Sequence, residues 1–320
     1  MGCADVLGIK FSFLSTKSTS KRNNHSAHSG KESAMDIPIF IVDAFTNLPF
    51  KGNPAAVCLL QKPLSEELYQ KIATEMNLSE TAFVICQNTT DSFSTASRFS
   101  LRWFTPTNEV SLCGHATLAS SAILFYHKRN NNGVIVFDTL SGELCIRMRG
   151  DCIVMDFPLY TTTPQEQHEV AELIKVVVGD LPLEDLQYSE DTKKLLLRLA
   201  DTCDTSDLTS LKPDPQMMMK SEHTGKVRGV IVTMKGAPQS QPGYDFFSRY
   251  FAPWNGIPED PVTGSAHSVL AKYWSDKLGK QRLLAYQSSS RGGELELELK
   301  GHRLDIAGHA VSVLQGTLSF

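Results

Sequence analysis

The sequence predicts an α+β fold made of two similar halves, each with a sheet curled around one apolar helix. The first observation is an internal repeat with a constant order and offsets of 147 to 151: residues 102–108 match 249–255, residues 114–116 match 264–266, and residues 142–144 match 293–295. The second is that short strand patterns alternate with few helical ones. The third is that each half contains a helix that is apolar on most sides and must therefore be surrounded.

Several elements of the first half follow from apolar runs and their period. Strands are predicted over residues 37–42, 57–60, 81–86, 134–138, 143–147 and 153–157. A further strand is predicted to end at Phe104. Residues 65–77 predict a helix with Ser65 as its cap, because apolar residues recur at every fourth position. A turn at Pro106 then leads to the apolar helix 114–127.

The second half repeats these kinds of element in a similar order. Residues 169–177 predict a helix, and a second helix is predicted to start near Gly264. Strands are predicted over residues 194–199, 229–234, up to Phe251, and over 294–300, where Glu and Leu alternate. Residues 202–226, which contain Pro213 and Pro215, are predicted to form a long excursion between strands.

The amino-acid composition of the N-terminal residues differs from that of the rest of the chain. Residues 1–34 are rich in Ser, Lys, Asn and His and have a net charge of +3. This composition predicts a disordered extension. Residues 35–158 are then the first half and residues 159–320 the second, with a C-terminal strand that can return to the first half. The whole chain has a net charge of -4, so residues 35–320 carry -7 and binding to nucleic acid is not expected.

The cysteines and the apolar runs indicate the cellular compartment and whether the chain spans a membrane. Seven cysteines, an odd number without a C-x-x-C pair, predict a reducing, cytoplasmic environment. The longest apolar runs are far shorter than the roughly 20 residues that a membrane-spanning helix needs. No membrane association is expected, and the sequence leaves open whether the chain forms a homodimer.

The chemistry has to come from ordinary side chains, because no nucleotide, zinc or hydrolase motif is present and no cofactor or metal is predicted. Gly114 and Gly264 begin helices whose free N–H groups attract anions, which predicts a cleft for a small carboxylate. Glu80 lies between Leu78 and Phe83, where an apolar setting would raise its pKa for acid–base work, although a loop carboxylate is the simpler interpretation.

Three further residues each have a chemical and a structural interpretation. His115 can hydrogen-bond a substrate or be a satisfied buried histidine, and Asp260 can face the cleft or form a turn before Pro261. Cys113 precedes Gly114, and the helix start would favour its thiolate if it is not simply buried.

Five motifs in one order make residues 35–320 resemble the PhzF-type phenazine-biosynthesis family. They are Asp43-Ala44-Phe45-Thr46, Gly52-Asn53-Pro54-Ala55-Ala56-Val57, Asn77-Leu78-Ser79-Glu80-Thr81, Cys113-Gly114-His115-Ala116-Thr117 and Glu259-Asp260-Pro261-Val262-Thr263-Gly264-Ser265-Ala266-His267. The resemblance implies a diaminopimelate-epimerase-like fold, in which two similar α+β halves each wrap a curved sheet around a central helix and hold the site between them.

The resemblance also implies an activity and a set of site residues. The activity is a cofactor-independent isomerisation in which one glutamate, here Glu80, moves a proton between carbons of a small carboxylate. The substrate-binding residues that carry over are Gly114, His115, Asp260, Gly264, Ser265 and, with less support from the motif, Asn53. The wider superfamily uses a cysteine before each helix, but here Pro261 and Val262 occupy the place equivalent to Cys113, so a two-thiol racemase is not expected.

Two other functions remain open at this point. The first is a catalytically silent scaffold of the same fold that binds a small molecule or regulates a partner. The second is a thiol hydrolase built on Cys113 and His115.

Overall fold

The computed structural model describes residues 35–236 and 243–320. The disordered extension predicted for residues 1–34 lies outside this part of the chain. Residues 35–320 belong to one compact unit.

The first half consists of a sheet and two helices. Its strands are β1 (Asp36–Ala44), β2 (Asn53–Leu60), β3 (Thr81–Cys86), β4 (Arg98–Phe104), β5 (Glu109–Val110), β6 (Val134–Thr139), β7 (Gly142–Arg149) and β8 (Cys152–Pro158). Its helices are α1 (Glu66–Met76) and α2 (Gly114–Ala122), which continues as a π-helical segment over Ile123–His127. The Ser65 hydroxyl accepts a hydrogen bond from the Leu68 amide, which confirms the predicted cap.

The second half contains the remaining elements. Its strands are β9 (Thr163–Pro164), β10 (Leu183–Ser189), β11 (Lys194–Leu199), β12 (Gly229–Lys235), β13 (Phe246–Phe251), β14 (Arg282–Gln287), β15 (Gly293–Lys300), β16 (Arg303–Gly308) and β17 (Ala310–Ser319). Its helices are α3 (Ala171–Val178), α4 (Thr205–Ser210), α5 (Pro215–Ser221) and α6 (Gly264–Leu278), with 3-10 turns over Gln167–Glu169 and Pro253–Asn255.

The internal repeat is visible in the strand directions. From β1 to β4 and on through β6, β7 and β8, successive neighbours pair antiparallel, parallel, antiparallel, parallel, antiparallel and antiparallel. From β10 to β16 the successive pairings follow the same series. The two halves therefore have one topology, and α2 and α6 occupy equivalent places in it.

An ion pair is repeated along with the strands. The Arg102 guanidinium donates two hydrogen bonds of 2.7 Å to the Glu109 carboxylate. Arg249 donates two bonds of 2.7 Å to Glu259 in the same geometry. Each pair fixes the loop that leads from a strand to a central helix, so the repeat extends to side-chain contacts.

Both central helices are surrounded by the sheet, as their apolar sequences predict. All residues of α2 are buried, and this helix packs against β1, β2, β3, β8 and β17. Helix α6 packs against β14, β15 and β16 and is buried over most of its length. This arrangement of a sheet around each central helix confirms the predicted α+β class.

The halves are joined through the sheet itself. Strand β8 pairs antiparallel with β16, and the C-terminal strand β17 pairs antiparallel with β1. The end of the chain thus returns to the first half. The boundary between residues 158 and 159 stays a prediction, because these pairings tie the halves into one unit.

The excursion predicted for residues 202–226 lies between β11 and β12 and contains two short helices, α4 and α5. The Asp204 carboxylate caps α4 by accepting from the Ser206 and Asp207 amides. The Asp214 carboxylate caps α5, and Pro215 occupies its first turn. Both signals are present in the sequence, but the helices are too short to show a clear apolar period.

No helix within residues 35–236 and 243–320 is both long enough and apolar enough to cross a membrane.

Candidate active site

The two central helices begin against one another. A Cβ built on Gly114 would lie 3.3 Å from the Gly264 Cα, so only glycine allows this approach without displacement. The residues before the helices, Cys113 and Thr263, provide no side-chain cap to either start within the described part of the chain. The first N–H groups of α2 and α6 therefore remain available to an anion. The positive ends of both helix dipoles point toward that anion and add to its binding.

A cavity of about 550 Å³ lies at this junction and is lined by both halves. It contains six of the seven residues that the sequence predicts for the site: Glu80, Gly114, His115, Asp260, Gly264 and Ser265. The volume suits a small metabolite. The predicted cleft between the two helix starts is therefore present.

Glu80 places a carboxylate at the wall of this cavity. It directly precedes β3, and only 8% of its surface is exposed. Burial raises the pKa of Glu80 to about 7, against a smaller opposing effect of the Ser79 hydroxyl. Its Oε2 atom has no hydrogen-bond partner among residues 35–236 and 243–320. A buried carboxylate oxygen without a partner is costly to keep, and such atoms are often functional.

His115 lies between Glu80 and Cys113. Its Nε2 atom is 3.3 Å from Glu80 Oε2 and 3.3 Å from the Ser79 hydroxyl, and its Nδ1 atom is 3.5 Å from the Cys113 sulfur. Burial lowers the pKa of His115, although Asp260 opposes this, so the ring is neutral at pH 7. A neutral ring that accepts from the thiol at Nδ1 carries its proton on Nε2, which can donate it to the Ser79 hydroxyl.

The same three side chains are of types that bind metal ions. Glu80, Cys113 and His115 offer donor atoms that lie within 4.8 Å of one another. Glu80 and Cys113, however, approach opposite nitrogens of the imidazole ring. One ion can take only one ring nitrogen, so the group fits a hydrogen-bonded row better than a coordination site.

Asp260 is held in place by residues of both halves. Its Oδ1 atom accepts a 2.6 Å bond from the Asn53 amide, and its Oδ2 atom accepts a 2.5 Å bond from the Thr263 hydroxyl. Burial raises the pKa of Asp260 to about 6, and the negative Glu80 adds to that rise, while His115 opposes it. Gln287 fixes the same loop by donating to the Asp260 carbonyl and accepting from the Thr263 amide.

Asn53 has a different place from the one predicted. It is fully buried and lies outside the cavity lining, behind Asp260. Its amide also donates to the Val262 carbonyl at 2.9 Å. The structure thus makes Asn53 a positioning residue for Asp260, whereas Ser265 lines the cavity directly at the second position of α6.

The expectations about Cys113 need two corrections. Burial raises the pKa of the Cys113 thiol well above its ordinary value, and the negative charges of Glu80 and Asp260 raise it further, so the helix start does not produce a thiolate. The position equivalent to Cys113 is Thr263, directly before Gly264, and not Pro261 or Val262. The second half still carries no thiol at that position.

Other cavity residues were not predicted. They are chiefly aromatic or polar residues from strand β13 and from the loops between the strands and the two central helices, namely Thr105, Thr107, Asn108, Tyr250, Trp254 and Asn255. All six fall in the repeated segments 102–108 and 249–255, so the repeat itself was the available signal. Each of these loops follows a strand that leads toward a central helix.

Lys194 supplies a buried positive charge close to this site. Its Nζ atom lies 5.7 Å from the centre of the Tyr250 ring, which faces the cavity. Burial lowers the pKa of Lys194 to about 8, although the negative Asp260 acts in the opposite direction. The positive charge of the Lys194 ammonium partly offsets the negative charge of the two carboxylates of the site, Glu80 and Asp260.

Comparison with known proteins supports the fold and the family. The model of the PhzC-PhzF family, described as phenazine biosynthesis-like protein, matches residues 42–316. Mouse phenazine biosynthesis-like domain-containing protein 1 is 58% identical over 89% of this chain and 100% of its own length. An uncharacterized isomerase from Pseudomonas aeruginosa is 42% identical over 89% of this chain and 99% of its own.

Solved structures agree with these relatives. A crystal structure of a PhzF-family phenazine biosynthesis protein from Enterococcus faecalis has a TM-score of 0.76 and 36% identity, covering 89% of this chain and 99% of its own. A hydroxyproline epimerase from Agrobacterium vitis has a TM-score of 0.54 and 13% identity over 89% of this chain and 93% of its own, which shows a shared fold only. The chain is therefore a member of the PhzC-PhzF family of phenazine biosynthesis-like proteins, with the α+β fold of the epimerases.

Proposed function

We propose that the protein is an isomerase that moves a proton between carbons of a small carboxylate-bearing metabolite, with Glu80 as the acid and base. The observation that carries this proposal is the buried Glu80 carboxyl group, which lines the cavity and whose Oε2 atom has no hydrogen-bond partner in the described residues. A carboxyl group with a pKa of about 7 is present in both protonation states near neutral pH. It can therefore accept a proton and return it without a large energetic cost.

The helix starts account for substrate orientation in this proposal. A substrate carboxylate at Gly114 and Gly264 accepts from the free N–H groups of α2 and α6, which hold it at the base of the cavity. The adjacent C–H then points toward Glu80. Asp260 and Ser265 orient the remainder of the molecule from the opposite half.

Proton transfer follows from that orientation. The Glu80 carboxylate takes the proton from the substrate carbon, and the electron pair moves onto the conjugated carboxylate oxygen. The N–H groups of the helix starts and of His115 stabilise the charge that develops there. In a substrate whose carbon–carbon double bond is conjugated with the deprotonated carbon, the protonated Glu80 then returns the proton to the other end of the conjugated system on the same face. The double bond shifts at the same time, which completes an isomerisation with no net change in atoms or electrons.

Two features favour this mechanism over racemisation by two thiols. The position that would carry the second cysteine is Thr263, whose hydroxyl is committed to Asp260. The first thiol, Cys113, is fully buried and its pKa is raised. One base on one face therefore fits the site better, and the proposed reaction uses neither a cofactor nor a metal.

The relatives support the class of reaction. The relative from Pseudomonas aeruginosa is named as an isomerase, and its similarity extends over 89% of this chain. The proposal places the reaction in the cytoplasm, in accordance with the odd number of cysteines in the sequence.

The proposal is tested by incubating the purified chain with a panel of small unsaturated and amino carboxylates in deuterated water. We expect at least one compound to incorporate deuterium at a carbon, detected by NMR, and to convert to an isomer. If ligands bind, as judged by line broadening, but none incorporates deuterium, the catalytically silent scaffold is the better account.

The same panel with an electrophilic ester added separates the thiol hydrolase from the isomerase. Cys113→Ala removes the thiol while Glu80 and His115 remain. We expect deuterium incorporation to persist in this variant, because the thiol approaches His115 Nδ1, whereas Glu80 lies beside the opposite nitrogen, Nε2. Loss of an ester-cleaving activity in Cys113→Ala, with no deuterium incorporation in either protein, would favour the hydrolase.

A further inference from the structure

A second group of side chains with metal-binding chemistry lies outside the candidate active site. Asp151, Cys152 and His309 offer a carboxylate oxygen, a sulfur and a ring nitrogen that all lie within 4.8 Å of one another. The Cys152 sulfur is 3.3 Å from His309 Nε2. None of the three residues lines the active-site cavity.

The strand register explains why Cys152 and His309 meet. Strands β8 and β16 pair antiparallel, with Ile153 opposite Gly308. The next residues outward are Cys152, at the start of β8, and His309, directly after the end of β16, so they stand beside one another. Asp151 precedes Cys152 in the turn between β7 and β8.

Glu296 brings a fourth donor from β15. The Glu296 Oε1 atom is 3.8 Å from the Cys152 sulfur, and its other oxygen binds Arg149. Glu296 stands opposite Ala307, and Ala307 stands opposite Val154. The small alanine between the strands leaves room for the glutamate to reach Cys152, which packs with Val154 and Ala307.

The donor set and its spacing fit one class of ion. Zinc binds thiolate at about 2.3 Å and imidazole at about 2.0 Å, so a tetrahedral centre separates the sulfur and nitrogen by roughly 3.5 Å. The observed 3.3 Å is close to that separation. We propose that Cys152, His309, Asp151 and Glu296 bind a divalent cation of the zinc class at the β8–β16 junction.

An ion at this position would connect the two halves of the fold. The β8 and β16 pairing is the seam through which the sheets of the two halves continue into one another. An ion held by Cys152 of one half and His309 and Glu296 of the other would tie this seam together, independently of the function proposed for the cavity. Metal binding to the folded chain would then raise its stability.

Cobalt(II) is the probe, because it replaces zinc and its thiolate bond absorbs in the near ultraviolet. The full chain, stripped by chelator, is titrated with Co²⁺ alone. We expect one equivalent to produce the thiolate absorption, Zn²⁺ to displace it, and Zn²⁺ to raise the melting temperature. The absorption should disappear in Cys152→Ser, and His309→Ala should weaken binding at least tenfold.

Matched variants make the outcome specific. Cys145→Ser replaces an exposed cysteine on the adjacent strand and should leave the titration unchanged, as should Cys113→Ser. The double variant Asp151→Asn with Glu296→Gln keeps Cys152 in place and should also weaken binding, which guards against a misfolded Cys152→Ser. The proposal is overturned if wild type shows no thiolate absorption, if the absorption survives in Cys152→Ser, or if Cys113→Ser is the variant that loses it.

Discussion

Gly114 and Gly264, 150 positions apart in the sequence, bring the N-termini of the two central helices into contact. A Cβ on Gly114 would lie 3.3 Å from the Gly264 Cα, and a Cβ on Gly264 would lie 3.4 Å from the Gly114 Cα. This contact is the centre of the pseudo-symmetric fold. It also places two sets of free N–H groups at one end of the cavity.

The first prediction tests the closeness of these helix starts. Gly114→Ala adds a methyl group that has to push the two starts apart by a few tenths of an ångström. We expect kcat/KM to fall about tenfold or more with the fold retained, because small displacements of binding groups reduce catalysis strongly. Gly133→Ala is the control, since nothing lies within 4 Å of its added Cβ, and it should leave kcat/KM unchanged. Equal activities in the two variants would show that the close contact does not matter for catalysis.

The second prediction concerns the pH dependence of the reaction. Glu80 has to be ionised to accept a proton, and its pKa is raised to about 7. We therefore expect kcat/KM to decrease about tenfold per pH unit below 7 and to level off above 7. Asp260, whose pKa is about 6, steepens the decrease at lower pH if its charge is also needed. A profile that is flat between pH 5 and 8 would be inconsistent with Glu80 as the base.

The third prediction links Glu80 to stability. Its pKa rises from 4.5 to about 7 on folding, so between these values the folded chain binds more protons than the unfolded chain. The free energy of unfolding therefore decreases as the pH rises through this window. The glutamine of Glu80→Gln does not titrate, so this variant does not lose stability in that window. It should be more stable than wild type at pH 8 by up to roughly 3 kcal/mol.

Chemical denaturation of both proteins at pH 4.5 and pH 8 measures that difference. The gain of Glu80→Gln over wild type should be larger at pH 8 than at pH 4.5. Cys145→Ser, at an exposed position away from the cavity, serves as a variant with no such pH-dependent gain. A constant difference across the window would mean that Glu80 does not titrate as its burial indicates.

Much of the fold could be predicted from the sequence because it repeats. The match of residues 102–108 with 249–255 predicted two equivalent strands leading to equivalent helices, and β4 and β13 fulfil that role. The glycine at each helix start predicted the cleft. Ser65 predicted the cap of α1, since capping is a local property of the chain.

What could not be predicted depends on contacts between distant residues. Asn53 and Asp260 are 207 positions apart, and nothing in either motif shows that one holds the other. The Thr263 hydroxyl precedes a helix and could have capped it, but in the folded chain it donates to Asp260. Likewise, the thiol of Cys113 stands at a helix start, yet its burial has the larger effect on its pKa.

The buried, raised-pKa carboxyl group of Glu80 is the centre of the proposed function, and one measurement tests it most directly. Wild type and Glu80→Gln are incubated with a turned-over carboxylate in deuterated water, and deuterium at the substrate carbon is followed by NMR. Glutamine keeps the size of the side chain but cannot accept a proton. We predict that Glu80→Gln binds the compound with a Kd close to that of wild type and incorporates no deuterium. Incorporation at the wild-type rate in Glu80→Gln would contradict the account.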